Sequence, residues 1–275
     1  MDVVQERDPF GAFEGPLVAV LKRDRVVILS ALFATAALAW RYLLHVARDM
    51  HAMDMGAMGM GAVMPNVRPW TAVDFIMMFL MWSTMMVAMM IPTAAPMILA
   101  FATISRRRHE QQLPYVPTAI FVGTYILVWC GFSLVATLAN WALHHGGFMS
   151  SMMGSAVPSV GGLLLIAAGV FQWTPLKHAC LGRCRTPIGF LMTEWREGYR
   201  GAVTMGLRHG SICLVCCWAL MALLFVLGVM NIVWIAALTV FVLLEKVGPK
   251  TLWVSRASGA FLVAWGLWLT GTTMF

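Results

Sequence analysis

Long apolar runs alternate with short polar segments along most of the chain. A transmembrane helix needs about 20 mostly apolar residues, and all of its backbone hydrogen bonds are internal. Runs of this kind lie near 26–44, 74–101, 115–139, 158–174, 211–229, 231–246 and 259–274. The pattern predicts an all-α membrane protein, a polytopic bundle of about seven transmembrane helices, or six, since the last three runs are short or closely joined.

The composition agrees with a membrane location. Hydrophobic residues make up 60% and charged residues 11% of the 275 residues, whereas a soluble domain carries about 25% charged residues. Residues 1–25 are polar, and no cleavage site follows an early apolar core, so we expect the first helix to stay in the membrane. The predicted organisation is a cytoplasmic N-terminal segment, 1–25, followed by a single transmembrane domain, 26–275.

Positive charge is distributed unevenly among the predicted loops. Cytoplasmic loops of membrane proteins carry an excess of Lys and Arg. With the N-terminus inside, sixteen of the nineteen Lys and Arg fall on the cytoplasmic side, and only Arg41, Arg48 and Arg68 fall outside. The net charge of +7 therefore indicates orientation in the lipid bilayer, and we expect no nucleic-acid partner.

Methionine is unusually frequent, with 23 residues, fourteen of which lie between positions 50 and 97. The predicted outer loop, 46–72, contains MHAMDMGAMGMGAVMP, in which methionine is mixed with residues too small to build a core. A thioether is a soft, uncharged donor that selects Cu(I) over harder ions. A low-complexity loop with incidental methionine is the alternative. The candidate ligands here are His51, Met53, Met55, Met58 and Met60.

A second group of methionines lies in the run 74–101. At about 100° per residue, one arc of about 120° on this helix carries five of them. They are Met77, Met78, Met81, Met85 and Met89. The Met-x-x-x-Met spacing is similar to pairs in the pore of Ctr-type copper importers. Flexible apolar packing is the alternative; the candidate metal ligands are Met81, Met85 and Met89.

Three features of the apolar runs have structural interpretations. Pro92 cannot donate a backbone hydrogen bond, so the carbonyl near Ala88 should be left free. Asp74 can cap the start of its helix. Glu245 can pair with its neighbour Lys246. Neither Asp74 nor Glu245 therefore requires a proton relay to explain its presence.

Five of the six cysteines fall on the predicted cytoplasmic side, in TPLKHACLGRCRTP within the segment 175–210 and in LRHGSICLVCCWALM. On a helix, His209, Cys213 and Cys216 lie within about 60° of arc. Thiols and an imidazole on one face suit Cu(I) or zinc, although buried cysteines can also act as small hydrophobes. The candidate ligands are Cys180, Cys184, His209, Cys213, Cys216 and Cys217.

The runs WTAVDFIMMFLMWSTMMVAMMIPTAAPM, QWTPLKHACLGRC and GAVTMGLRHGSICLVCCWALMALLFVLGVMN resemble a bacterial family of predicted metal-binding integral membrane proteins, whose function is largely unassigned. The resemblance covers most of the chain after residue 70. It implies a multi-pass protein of the bacterial inner membrane that binds metal at the cysteines and His209 named above. It does not extend to the methionine-rich loop.

Three functions fit these observations. The first is copper uptake, transfer or homeostasis without enzymatic activity, in which methionines deliver Cu(I) to cytoplasmic thiols and a copper chaperone or cuproprotein is the partner. The second is a membrane thiol oxidoreductase that uses the Cys213 and Cys216 pair, with Cys130 as a lone further candidate within the bilayer. The third is a metal-free assembly subunit.

Overall fold

The computed structural model describes residues 11–58, 70–114, 116–148, 156–248 and 251–272, and in the first helix it describes side chains only for residues 23–49. These residues form helices joined by short connections. The helices are α1 Gly11–Met58, α2 Ala72–Glu110, α3 Thr118–His145, α4 Pro158–Phe171, α5 Pro175–Arg185, α6 Pro187–Glu194, α7 Gly198–Ala222, α8 Leu224–Leu227, α9 Ile232–Val247 and α10 Thr251–Gly271. The predicted all-α fold is confirmed.

Within the described residues, five helices are long and apolar enough to cross a membrane. They are α1 over Arg23–Asp49, α2, α3, α7 continued over Gly198–Leu227, and α10 over Leu252–Gly271. The pair α4 and α5 would make a sixth span that is bent by 66° at its break. The run predicted at 231–246 forms α9, which has only 16 residues, fewer than the roughly 20 that a span needs. The described residues therefore form a multi-pass bundle with five or six long apolar helices.

Helices α2 and α7 lie at the centre of the bundle. Of the most apolar 18-residue stretch of each helix, 61% is buried in α2 and 56% in α7 with its continuation, compared with 11% in α1. Helix α3 packs against both α2 and α7, and α1 packs against α2. Many side chains of α2 and α7 therefore face other helices. These two helices can supply the side chains of an internal site.

Two local features predicted from the sequence are present. Asp74 accepts a hydrogen bond from the backbone N–H of Thr71 at 2.8 Å, and Thr71 Oγ1 accepts one from the Asp74 N–H at 3.4 Å, so α2 begins with a capping box. At Pro92, where the ring removes one backbone donor, the Ala88 carbonyl accepts a hydrogen bond from the Trp40 indole at 3.3 Å. A side chain of α1 thus satisfies the carbonyl that the proline releases.

Glycines bring the backbones of α4 and α10 into direct contact. A Cβ atom at Gly169 would lie 2.7 Å from the Gly259 carbonyl oxygen, and one at Gly266 would lie 2.7 Å from the Gly162 carbonyl oxygen. Small residues allow this close approach, which gives dispersion contacts that lipid tails cannot provide. This pairing holds α4 in place, and α4 leads directly into α5 and the site described next.

Candidate metal centre

Three cysteine thiols from two helices meet in the interior. Cys184 comes from the last turn of α5, and Cys213 and Cys216 come from α7; their Sγ atoms all lie within 4.8 Å of one another. The Cys184 and Cys216 sulfurs are 3.9 Å apart. Cys213 and Cys216 are 0% and 1% exposed. We call these three residues the thiol cluster.

Helix geometry explains how the cluster forms. Cys213 and Cys216 are three positions apart, so they share one face of α7. That helix begins at Gly198, earlier than the predicted run 211–229, and the two cysteines therefore lie well inside it. The chain turns by 66° between α4 and α5, where Thr174 accepts a hydrogen bond from the Lys177 N–H and Pro175 starts the new helix. This turn brings Cys184 against α7.

The separations within the thiol cluster fit a metal ion. A metal–thiolate bond of about 2.3 Å places two sulfurs about 4 Å apart in a trigonal arrangement and about 4.6 Å apart in a linear one. The observed separations, 3.9 Å for Cys184 and Cys216 and at most 4.8 Å for the others, cover this range. Sulfur donors select soft ions, so the cluster suits copper as a bound substrate.

A buried lysine contacts the cluster. Lys246 is 8% exposed, and its Nζ donates hydrogen bonds to Cys213 Sγ at 3.0 Å and to Thr93 Oγ1 at 2.8 Å. The Tyr125 hydroxyl lies 3.3 Å from the same sulfur. A buried charge is tolerated when it is paired and hydrogen-bonded. The Lys246 ammonium group is therefore positioned where it would act as the countercharge of a thiolate at Cys213.

The pairing predicted between Glu245 and Lys246 is wrong. Glu245 instead binds Lys177 of α5, whose Nζ is 2.8 Å from Glu245 Oε2. The Gln172 side chain also accepts a hydrogen bond from Lys177, and Ser255 Oγ donates to Glu245 Oε1 at 2.8 Å. Successive residues of a helix point about 100° apart, so Glu245 and Lys246 reach different neighbours. The ion pair fastens α5 to α9 and holds Cys184 near Lys246.

The other predicted thiol and imidazole ligands take different places. Cys217 Sγ lies 3.2 Å from Cys216 Sγ, at the edge of the thiol cluster. Cys180 is half-buried on α5 and does not belong to the three sulfurs that lie within 4.8 Å of one another. Cys130 is half-buried on α3, away from that helix's buried stripe of Phe121, Tyr125 and Trp129.

His209 lies in an aromatic enclosure next to the cluster. Its ring stacks 5.6 Å from Tyr125 and 6.0 Å from Phe121, and Phe190 meets it edge-on. The side chain is 3% exposed, and within the described part of the chain its Nδ1 has no hydrogen-bond partner. A buried polar atom without a partner costs free energy, so a ligand or water that hydrogen-bonds to this nitrogen would be stabilised there.

A cavity of about 220 Å³ reaches the cluster from one end of the bundle. We call it the entry cavity. Its lining residues are Thr93, Pro96, Met97, Cys184, Arg185, Pro187, His209, Lys246 and Val247. Val247 is 60% exposed, whereas His209 and Lys246 are buried, so the cavity extends from the surface to the edge of the thiol cluster.

The methionines of α2 point mainly into the protein. The buried set on this helix is Met78, Met81, Met85, Met86, Met89, Met90 and Met97. Met77, a member of the predicted arc, is 58% exposed, because the buried face of α2 is wider than that arc and is rotated away from Met77, toward Met86, Met90 and Met97. We call this buried set the methionine stripe. The Tyr125 hydroxyl donates to the Met90 carbonyl at 3.4 Å and also contacts Cys213, so the methionine stripe passes beside the thiol cluster.

The predicted outer ligands are only partly within the described structure. Helix α1 continues to Met58, into the predicted loop 46–72. The side chains of His51, Met53, Met55 and Met58 lie outside the described residues, as does the whole of Met60. At the end of α3, His144 Nδ1 accepts a hydrogen bond from the Trp70 indole at 3.1 Å.

Sequence reasoning missed Lys246, Thr93 and Tyr125 as neighbours of the cysteines. The available signal was the pair of charged residues in the last turn of an otherwise apolar helix, IVWIAALTVFVLLEKV. Ionisable groups at such positions are expensive in a membrane, and they usually face the bundle interior and mark a functional site.

Fold and site together define an all-α, multi-pass membrane protein with a buried cluster of three thiols that suits a soft metal ion. A family model described as PpoB2, copper chaperone, matches residues 79–269, more than half of the chain and all of the thiol cluster. The chain belongs to this PpoB2 copper chaperone family, in agreement with the resemblance to metal-binding membrane proteins. No curated protein and no solved structure matches the chain significantly.

Proposed function

We propose that the protein binds copper as Cu(I) at Cys184, Cys213 and Cys216 and transfers it across or within the membrane to a copper protein. The observation that carries this proposal is the convergence of three sulfurs within 4.8 Å in a buried position. The copper chaperone family supports copper, and not zinc, as the bound metal. Binding and release of a metal ion require no enzymatic step, so we propose a non-enzymatic role.

The methionine stripe of α2 is proposed as the route to this centre. Met78 and Met90 are twelve residues apart, which corresponds to about 18 Å along a helix, and both are buried with the methionines between them. Thioethers bind Cu(I) without deprotonation and more weakly than thiolates, so a series of them allows passage and leaves the thiols as the final site. Met81, Met85 and Met89 are the ligands we assign to this route.

The orientation of the proposed route rests on the charge pattern, and the direction that we propose rests on thiolates binding Cu(I) more strongly than thioethers. The excess of Lys and Arg on one side predicts a cytoplasmic N-terminus in a bacterial inner membrane. Copper would then enter from the outer stretch that contains His51, Met53, Met55, Met58 and Met60, and it would leave at the thiols. Cys180, Cys217 and His209 are proposed as auxiliary ligands around the thiol cluster, since each lies on the same two helices as its members.

A thiol–disulfide function is the second candidate. The observation in its favour is the 3.2 Å separation of the Cys216 and Cys217 sulfurs. A carrier of this kind would pass electrons to a further thiol, whereas Cys130 lies off the buried stripe of α3. Copper binding that persists while all cysteines stay reduced would favour the first candidate.

The experiment that tests the proposal measures copper content and Cu(I) affinity of protein purified in detergent under reducing conditions. We expect stoichiometric copper in the wild type, and its loss in a Cys213→Ser, Cys216→Ser variant. Cys130→Ser serves as the matched control and should retain copper. Equal copper content in the wild type and the double variant would refute the proposed centre.

A further inference from the structure

The entry cavity carries positive charge, although the proposed substrate is a cation. Arg185 and Lys246 both line it. Lys246 is hydrogen-bonded to Cys213, whereas the Arg185 guanidinium donates to the neutral Gly248 carbonyl. No Asp or Glu is among the lining residues, all of which belong to the described part of the chain. Glu245 is occupied by Lys177 on another side of α9. Like charges repel strongly where water is partly excluded, so this passage disfavours a bare metal ion and favours an anion.

The cavity also presents a thiol and an unpartnered nitrogen. Cys184 is the one member of the thiol cluster that lines the cavity, and it is only half-buried. The Nδ1 atom of His209, buried and without a partner among the described residues, belongs to a side chain of the same lining. A ligand that enters the cavity would therefore contact Cys184 before the other two thiols. The His209 nitrogen and the cationic side chains of Arg185 and Lys246 surround this position.

The size of the cavity limits what can enter. A volume of about 220 Å³ corresponds to about seven water molecules, and it is smaller than the pockets of about 300–1,000 Å³ that hold drug-sized ligands. The residues around its mouth come from the end of α5, the start of α6 and the end of α9. Val247 at the mouth is 60% exposed, so we expect the mouth to open to the surrounding polar phase. Its size admits a small molecule and excludes a folded domain.

We propose that the entry cavity is a docking site for a small thiol that bears carboxylate groups and carries Cu(I) to or from Cys184. This inference rests on the proposed function. The carboxylates bind near Arg185, and the carrier sulfur approaches Cys184. In the exchange, the bond between copper and the carrier sulfur breaks, a bond between copper and Cys184 Sγ forms, and the Cys184 proton passes to the released carrier thiolate. Copper remains Cu(I), and no electron is transferred.

The test compares two copper donors of opposite character. Cu(I) is supplied to purified, reduced protein as its complex with mercaptosuccinate, which carries two carboxylates, or with 2-mercaptoethanol, which is neutral. Electrostatic focusing raises association rates by about tenfold or more, so we expect the wild type to acquire copper about tenfold faster from the charged thiol. This preference should shrink as ionic strength rises.

Variants at the mouth separate charge from structure. Arg185→Gln should lose most of the preference for mercaptosuccinate, Arg185→Lys should keep it, and Arg183→Gln, at an exposed position two residues away, should match the wild type. Equal rates from the two donors in the wild type, at low and high salt alike, would overturn the docking site. Retention of no copper from either donor would instead overturn the proposed function itself.

Discussion

Two regions of helix packing in this protein differ in what lies between the helices: backbone contacts between α4 and α10, and polar groups between α5, α7 and α9. Between α4 and α10, glycine backbones touch, and a Cβ at Gly169 would lie 2.7 Å from a carbonyl oxygen. Between α5, α7 and α9, the helices stand apart around three thiols, a buried lysine and the entry cavity. The first contact gains dispersion by excluding everything else. The second gives up packing for polar groups that can bind a substrate.

The difference shows how the thiol cluster is held in place. Helix α4 is fixed to α10 by contact of the backbones, and α5 follows after a bend of 66°. The Lys177–Glu245 ion pair then ties α5 to α9. Cys184 is thus positioned by one apolar and one ionic interaction, and each of them can be removed separately.

The largest effect is expected from breaking the ion pair. Lys177→Met leaves the Glu245 carboxylate buried without its cation, and removal of one partner of a buried pair costs about 3–5 kcal/mol. We expect a large fall in the thermal unfolding temperature in detergent. The double variant Lys177→Met, Glu245→Leu should recover much of the loss. A single variant as stable as the wild type would show that the ion pair does not fasten α5.

A bulky residue at the glycine contact should have the next largest effect. Gly169→Leu forces α4 away from α10, and overpacking costs about 1–3 kcal/mol. Gly123→Leu is the matched control, since a Cβ at Gly123 meets nothing within 4 Å. We expect the first variant to unfold at lower temperature and the second to match the wild type. Equal melting of both variants would contradict the close approach of the two backbones.

Removal of the cation at the thiol cluster should weaken copper binding and leave the fold in place. Lys246→Met loses a charge-assisted hydrogen bond to Cys213, and such bonds contribute about 1.5–3 kcal/mol. That range corresponds to at least about tenfold weaker Cu(I) affinity, measured by competition with a Cu(I) chelator. Lys246→Arg keeps the charge and should bind more tightly than Lys246→Met. Unchanged affinity in the methionine variant would mean that the ammonium is not the countercharge.

The smallest effect on stability is expected along the methionine stripe. Met85→Leu with Met89→Leu conserves volume, so each change should cost less than about 1.5 kcal/mol, and copper affinity at the thiols should remain. Delivery of copper to the thiols of protein in vesicles should slow, since two thioethers are gone. Met77→Leu, at an exposed position, is the control. An unchanged delivery rate in the double variant would remove the stripe from the route.

Local patterns predicted much of this architecture. Helical spacing predicted the internal face of α2 and the shared face of Cys213 and Cys216, because both depend only on about 100° per residue. The partners of Lys246 depend on contacts between distant parts of the chain, and no local pattern encodes them. Glu245 and Lys246 show this most clearly. They are neighbours in sequence, but Glu245 binds Lys177 and Lys246 binds Cys213.

The most direct test is X-ray absorption at the copper edge on copper-loaded protein, wild type and the double variant Cys213→Ser, Cys216→Ser. We expect one Cu(I) per chain at the cluster, surrounded by two or three sulfurs at about 2.3 Å, and loss of this sulfur shell in the double variant. A copper environment made of nitrogen and oxygen, or a sulfur shell that the two substitutions leave unchanged, would contradict this expectation.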